Sequence, residues 1–264
     1  MSIHSNNFFS NTLRRSVTVQ VVLPEPLTPA GTVAPDYCSG RQALPTLWLL
    51  HGLGGDATTW LRETAIERLA TQYRVAVVMP QTERGFYTDM VAGPKYWTFM
   101  TTELPARMRY LFPLSDDPQK NVVAGNSMGG YGALRWALTY PERFAAVAVM
   151  SPVTDIARFR TDQAAIMPDM DMAFDPSEMT GTASDVNWLL EQLKPEQSPL
   201  RVLMTTGSQD MLRAMDEASR PHFEAKLGDR FTWRELPGRH DWPLWVAQLP
   251  AVMHWLVKGT WREV

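Results

Sequence analysis

Asn121-Val122-Val123-Ala124-Gly125-Asn126-Ser127-Met128-Gly129-Gly130-Tyr131-Gly132-Ala133-Leu134-Arg135-Trp136-Ala137-Leu138 carries a strand, a tight turn and a helix in one stretch. Val122 to Ala124 form a short apolar run bounded by glycine, the pattern of a buried strand. Small and apolar residues at helical spacing come after Ser127. Between the two lies Gly-x-Ser-x-Gly. A turn this sharp strains its central residue and exposes the hydroxyl at its tip. A Cβ on either flanking glycine would strike the neighbouring strand or helix. Gly125 and Gly129 meet that demand, and Gly130 and Gly132 are expected to let the helix lie close to the sheet. The pattern alone is common; a strand before it and a helix after it make Ser127 a candidate nucleophile.

Outward from this elbow, apolar runs recur. Residues 16–23 alternate β-branched and polar side chains up to Pro24-Glu25-Pro26, a strand ending in a turn. The Pro-, Gly-, Thr- and Ala-rich residues 27–44 read as a surface loop, with Cys38 inert rather than catalytic. Residues 46–50 and 75–79 are buried strands, with a helix predicted between them over 58–73, Ile66 and Leu69 inward. The loop at 81–97 leads into a helix whose stripe is Leu104, Met108 and Leu111. Further strands are expected at 144–150, 200–206 and 231–236. In the closing helix Trp245, Leu249, Val252 and Leu256 share a face, and Pro250 should bend or restart it. Strands alternating with helices require a mostly parallel sheet covered on both faces, an α/β architecture. Residues 155–199 are too long for an ordinary connection. With Met167, Met170, Met172 and Met179 among acidic residues and prolines, they read as a small lid or cap, or as a disordered surface insertion.

The 264 residues suit one domain, 1–264, with 155–199 inserted into it. Net charge is −3, from 25 basic and 28 acidic residues, with no dense Lys/Arg cluster, which argues against nucleic acid or an anionic membrane as partner. One cysteine cannot make an internal disulfide. The N-terminus lacks the layout of a signal peptide, and no apolar run approaches the ~20 residues that span a bilayer. A cytoplasmic location is the expectation; homo-oligomerisation stays open.

A serine hydroxyl needs a base within hydrogen-bond reach. Of the five histidines, His4 lies in a terminus expected to be loose, and His222 and His254 sit within helices. His51 belongs to a glycine loop. His240, in Pro237-Gly238-Arg239-His240-Asp241-Trp242, comes directly after the last strand, where α/β sites lie. The acid that orients it is assigned to Asp210, just past the strand at 200–206 and 30 residues before His240. The order Ser, Asp, His fits. Asp241 and Asp185 are the rivals, and a turn-forming or N-cap role is the alternative for Asp210 itself. A tetrahedral intermediate also needs two preorganised donors. The backbone N–H of Met128 is one, and the backbone N–H of Leu53, in His51-Gly52-Leu53-Gly54-Gly55, is the other. A glycine-rich loop could instead bind phosphate, but this one lacks the Gly-Lys-Ser/Thr ending of a P-loop.

Together with Tyr87-Thr88-Asp89, Gly125-Asn126-Ser127-Met128-Gly129-Gly130-Tyr131-Gly132, Gly207-Ser208-Gln209-Asp210 and Gly238-Arg239-His240-Asp241-Trp242, that glycine loop makes the chain resemble the putative-esterase branch of the α/β-hydrolases. It is most similar to tributyrin-esterase-like and acetyl-esterase-like proteins, and more distantly to S-formylglutathione hydrolases and mycolyltransferases. The resemblance spans Val17 to the last helix and is weakest over 155–199. It implies an α/β-hydrolase fold and a serine carboxylesterase acting on short acyl esters, a small-molecule substrate, without metal or organic cofactor. Tyr87, Tyr131 and Trp242 are implied to line the acyl or alcohol pocket, or else to be core aromatics, and Asp89 to hold its loop. Arg239, where many relatives have glycine, is expected to alter the rim. Acyl transfer and thioester hydrolysis use the same triad, so both remain as enzyme alternatives. A non-catalytic binding protein on the same scaffold is the third reading, opposed by the complete constellation.

Overall fold

The structure, a computed structural model, describes residues 1–25, 43–165, 167–194, 196, 198–258 and 260. The loop expected over 27–44, with Cys38, lies outside the described residues except for its last two positions. Among the described residues one eight-stranded sheet runs in the order β1-β2-β4-β3-β5-β6-β7-β8. Its strands are β1 (Ser2–Ser10), β2 (Arg15–Leu23), β3 (Thr46–Leu50), β4 (Ala76–Pro80), β5 (Asn121–Asn126), β6 (Ala146–Met150), β7 (Arg201–Gly207) and β8 (Phe231–Leu236). From β4 to β8 every pairing is parallel; β1 and β2 add on antiparallel at one edge. The middle strands β3, β4, β5 and β6 are buried along their whole length, as continuous apolar runs between two helical layers must be.

The helices are α1 (Thr59–Glu63), α2 (Ile66–Tyr73), α3 (Tyr96–Thr98), α4 (Leu104–Leu111), α5 (Met128–Thr139), α6 (Ile156–Asp162), α7 (Met170–Ala173), α8 (Val186–Gln192), α9 (Arg213–Leu227) and α10 (Trp242–Val257). One core lies under α5 and the 155–199 segment, the other between the sheet and α2 and α10. Among the described residues of 155–199, Phe159, Met167, Met170, Phe174, Met179, Val186 and Leu190 are buried in the first core, while Met172 points outward.

Several local expectations are corrected. The N-terminus is a nine-residue edge strand, not a loose end. Its inner face is Ser2, His4, Asn6 and Phe8, a period of two without an apolar run, and it is held by full register with β2 and by His4 packing edge-on against Phe112 at 5.3 Å. The helix expected over 58–73 breaks at Thr64, whose hydroxyl donates to the Trp60 carbonyl at 2.5 Å and accepts from Ile66 N–H at 3.2 Å, competing with the helical bonds. Leu111 is 43% exposed; the inward residues are Met100, Leu104 and Met108, on a helix that begins earlier, at α3, and passes through a π turn (Phe99–Glu103). Pro105 has no N–H for the Thr101 carbonyl, and Arg143 Nη1 donates to it instead at 2.9 Å. Nor does Pro250 restart the last helix: α10 continues through it, and the carbonyl it leaves unpaired belongs to Val246, on the exposed side.

Candidate active site

The β5–α5 turn holds Ser127 at φ 53°, ψ −120°, a conformation that a residue with a side chain adopts only at a cost. Main-chain bonds fix it there: Ser127 N–H donates to the Met150 carbonyl at 2.9 Å, and its own carbonyl accepts from Tyr131 N–H at 3.0 Å. A Cβ on Gly125 would lie 2.4 Å from the Gly129 carbonyl oxygen, and one on Gly129 would lie 2.4 Å from that of Leu50. Both glycines are required by close approach. Gly130 and Gly132 serve another purpose than the one expected of them. A Cβ on Gly130 would meet Pro152 at 2.8 Å and one on Gly132 the Tyr87 ring at 2.5 Å, so they admit loops, not the sheet.

His240 enters from the β8–α10 connection. Its Nε2 lies 2.9 Å from Ser127 Oγ, and its Nδ1 lies 2.9 and 3.0 Å from the two Asp210 carboxylate oxygens. A carboxylate only accepts, so Nδ1 carries the proton and Nε2 is left as acceptor for the serine hydroxyl. Asp210 sits just past β7 with no side-chain exposure, and its Oδ1 also accepts from Leu212 N–H at 2.8 Å. Burial pushes its carboxyl up, but the hydrogen bond and charge of His240, the Ser151 hydroxyl and Leu212 N–H together hold it below the usual range. The rival aspartates are engaged elsewhere. Asp241 is the N-cap of α10, accepting from Leu244 N–H, and Asp185 is the N-cap of α8, accepting from Asn187 and Trp188 N–H. Of the other histidines, His222 and His254 are exposed, His4 is on β1, and His51 is buried.

His51 organises the glycine loop. Its Nε2 accepts from Thr82 N–H at 3.1 Å, so its Nδ1 donates to the Gly52 carbonyl at 2.8 Å, and burial lowers its pKa. Leu53 comes next on this loop and lines the cavity beside Ser127. Met128 is the first residue of α5, where a backbone N–H has no intrahelical acceptor. Among the described residues neither amide donates a hydrogen bond within the fold. Behind the loop, Asp56 accepts from Thr58 and pairs with Arg62 at 3.3 Å. Burial pushes the Asp56 carboxyl up, yet these donors outweigh it and leave it at about 2.

The cavity over Ser127 measures about 380 Å³. Its wall includes Leu53, Phe159, Met211, His240, Trp242 and Trp245. Trp242 belongs to this wall, and Trp60, Trp242, Trp245 and His240 pack edge to face in succession at 5.1–5.2 Å. Tyr87 and Tyr131 do not line this cavity. Both are buried, with Tyr87 donating to the His51 carbonyl at 2.8 Å and Tyr131 to the Ser184 carbonyl at 2.9 Å. Each has found a main-chain acceptor for its hydroxyl, which a pocket-lining role would leave for substrate. Asp89 binds Thr98 through both oxygens and so holds its loop. Arg239 is exposed and absent from the wall. Phe159 carries no signal in the sequence because it comes from a segment with no motif, and Met211 because a methionine one residue past Asp210 has no chemistry to mark it. Among the described residues no group of three or more His, Cys, Asp or Glu side chains gathers as around a metal ion, and no helix is long and apolar enough to cross a membrane.

The chain matches the family model described as "Putative esterase" over residues 10–256. It is 30% identical to an acetyl esterase of Caldicellulosiruptor saccharolyticus over 98% of this chain and 99% of that protein. Among solved structures it is similar to the fluorophosphonate-binding serine hydrolase FphF of Staphylococcus aureus, with TM-score 0.80 and 29% identity, covering 97% of this chain and 98% of that one. The S-formylglutathione hydrolase FrmB of Staphylococcus aureus superposes with TM-score 0.79 at 30% identity, over 97% and 98% of the two chains.

Proposed function

The chain belongs to the "Putative esterase" family and is an ester hydrolase of the α/β-hydrolase fold, and from that premise we propose that Ser127, His240 and Asp210 are its catalytic triad, acting on short-chain acyl esters. The observation that carries this reading is the unbroken line from Asp210 through His240 to Ser127 Oγ, with links of 2.9 and 2.9 Å, opening on a cavity. Ser127 Oγ attacks the acyl carbon as its proton passes to His240 Nε2, and Asp210 stabilises the imidazolium. The amides of Met128 and Leu53 receive the carbonyl oxygen as it becomes negative. His240 then protonates the leaving alcohol. Water, deprotonated by the same imidazole, attacks the acyl-enzyme and releases the acid. The described part of 155–199 acts in this reading as a cap, and its Phe159 supplies one wall of the pocket, which suits small acyl groups. A cytoplasmic location fits the single cysteine.

A thioester substrate is the second reading, favoured by the likeness to S-formylglutathione hydrolases along much of the chain. Leaving group alone separates the two. The test is a fluorophosphonate probe followed by p-nitrophenyl esters of increasing acyl length. Labelling at Ser127, lost together with turnover in Ser127→Ala, and fastest hydrolysis from acetyl to butyryl are expected. Labelling that persists in Ser127→Ala would exclude the triad, and better turnover of long acyl chains would exclude the small pocket.

A further inference from the structure

Behind the acid and the base lies a polar group that the reaction itself does not touch. Ser151 sits directly after β6, is completely buried, and has φ 48°, in the left-handed region where glycine is the economical choice. A buried side chain retained at such a position points to a use for it. Its N–H is occupied by the Thr205 carbonyl at 2.7 Å, which pins the end of β6 to β7. Its hydroxyl accepts from the Trp245 indole N–H at 3.2 Å, and the same hydroxyl helps hold the Asp210 carboxyl below the usual range. The same Trp245 stands edge-on to the His240 imidazole, ring centroids 5.1 Å apart at 87°.

We infer that Ser151 and Trp245 are positioning residues that fix the acid and the base of the triad as one unit. The inference rests on the triad reading above. Hydrogen-bond inventory leaves the relay a single direction. An indole N–H can only donate and a carboxylate can only accept, so the one hydroxyl proton of Ser151 must face Asp210. Indole to hydroxyl at 3.2 Å, hydroxyl turned toward the carboxylate, and imidazole Nδ1 to carboxylate at 2.9 Å then run in one direction. Trp245 closes this relay by packing against the ring whose angle the relay sets. The helix carrying Trp245 is stitched to the same strand ends by Gln248, which accepts from Thr205 Oγ1 at 2.9 Å and donates to the Thr206 carbonyl at 3.3 Å. The titratable groups near Asp210 are His240, from the β8–α10 connection, and Asp216, from α9. Ser151 supplies a neutral donor from the remaining side.

The test compares Ser151→Gly, Ser151→Ala and Trp245→Phe with wild type by kcat, KM and the pH profile of kcat/KM. Thermal melting checks folding. Losing a donor concentrates more of the Asp210 charge on the imidazolium. The acid limb of the profile should therefore move to higher pH, with kcat down roughly tenfold and KM within about twofold. Ser151→Gly is decisive because glycine suits the backbone there, so a merely conformational role would leave that variant fully active. Trp245→Phe keeps an aromatic ring there while removing the N–H and part of the ring, and it should show the same shift, with the melting temperature reporting the lost packing. Wild-type kcat and an unmoved acid limb in Ser151→Gly, or in Trp245→Phe, would overturn the relay. If wild type itself fails to label at Ser127 with fluorophosphonate, the triad reading fails instead, and the two failures are told apart.

Discussion

Replacing Asp210 with asparagine removes a charge and almost no volume, and the partners of its two oxygens dictate the effect. In wild type Oδ1 accepts from both His240 Nδ1 at 2.9 Å and Leu212 N–H at 2.8 Å, while Oδ2 lies 3.0 Å from the same Nδ1. An asparagine that leaves its oxygen at Oδ1 sets its NH₂ where Oδ2 was, donor against donor at Nδ1. Turned over, it sets the NH₂ against Leu212 N–H. The imidazole escapes by moving its proton to Nε2, where it can no longer accept from Ser127. Loss of the correct tautomer and of the charge facing the imidazolium should together lower kcat by roughly four orders of magnitude, equivalent to about 5 kcal/mol of transition-state stabilisation. The protein should stay folded, because the change removes a buried charge beside Asp216, whose own carboxyl is raised partly by Asp210. Initial rates on p-nitrophenyl acetate measure the effect, with thermal melting as the folding control. Asp241→Asn is the matched comparison. It keeps an equally good N-cap on α10 and should retain activity within a few-fold. More than a tenth of wild-type activity in Asp210→Asn, or a greater loss in Asp241→Asn, would refute the assignment.

Gly129→Ala should lower stability by about 1–3 kcal/mol and abolish most activity, because the new methyl would stand 2.4 and 2.6 Å from the Leu50 and His51 carbonyl oxygens and displace the loop that carries Leu53. Denaturant unfolding and ester turnover report it, and a variant with wild-type values for both would show that the close approach is dispensable. Asp216→Asn tests the buried carboxyl on α9, which has no exposure and whose Oδ1 accepts from Thr154 Oγ1 at 3.4 Å. Burial first, and the Asp210 charge second, raise its pKa well above the ordinary value. The folded protein therefore keeps a proton that the unfolded chain releases above the ordinary carboxylate pKa. Folded stability must fall as pH climbs from there toward the folded pKa. Asparagine binds no such proton, so the melting temperature of the variant relative to wild type should rise from about pH 5 to about pH 8. A difference that stays constant with pH would mean that Asp216 is ionised in the fold.

What sequence shows best is what recurs with a period or sits at a fixed offset. β3 to β7 read as apolar runs because they are buried on both faces; Ser127 and Asp210 stand out because each comes within a few residues of the end of such a run, and His240 because it follows the last strand, β8. β1 is hidden because its inner face is serine, histidine, asparagine and phenylalanine, so alternation carries no hydropathy contrast. Tyr87 and Tyr131 resemble pocket residues because an aromatic near a strand end has two fates, and only the acceptor its hydroxyl finds decides between them. Gly130 and Gly132 have the spacing of sheet-facing positions, whereas their real neighbours, Pro152 and Tyr87, arrive from distant loops. Ser151 gives no signal at all: its φ and its partners exist only once β6, β7 and α10 are assembled.

Strand order explains why these particular residues meet. β3, β5, β6, β7 and β8 are consecutive in the sheet, and the segments leaving them carry Leu53, Ser127, Ser151, Asp210 and His240. Parallel pairing brings all five to the same edge, with Asn126, Met150 and Thr205 in register across the three middle strands. Ser127 and Asp210 are thus two strand spacings apart, about 10 Å, too far for direct contact. An imidazole with a hydrogen bond at each ring nitrogen has the length to bridge that gap, and β8, the next strand beyond Asp210, delivers it. Ser151 comes directly after the strand between them, and its hydroxyl lies 3.2 Å from the indole nitrogen of Trp245, the ring that stands edge-on to that imidazole.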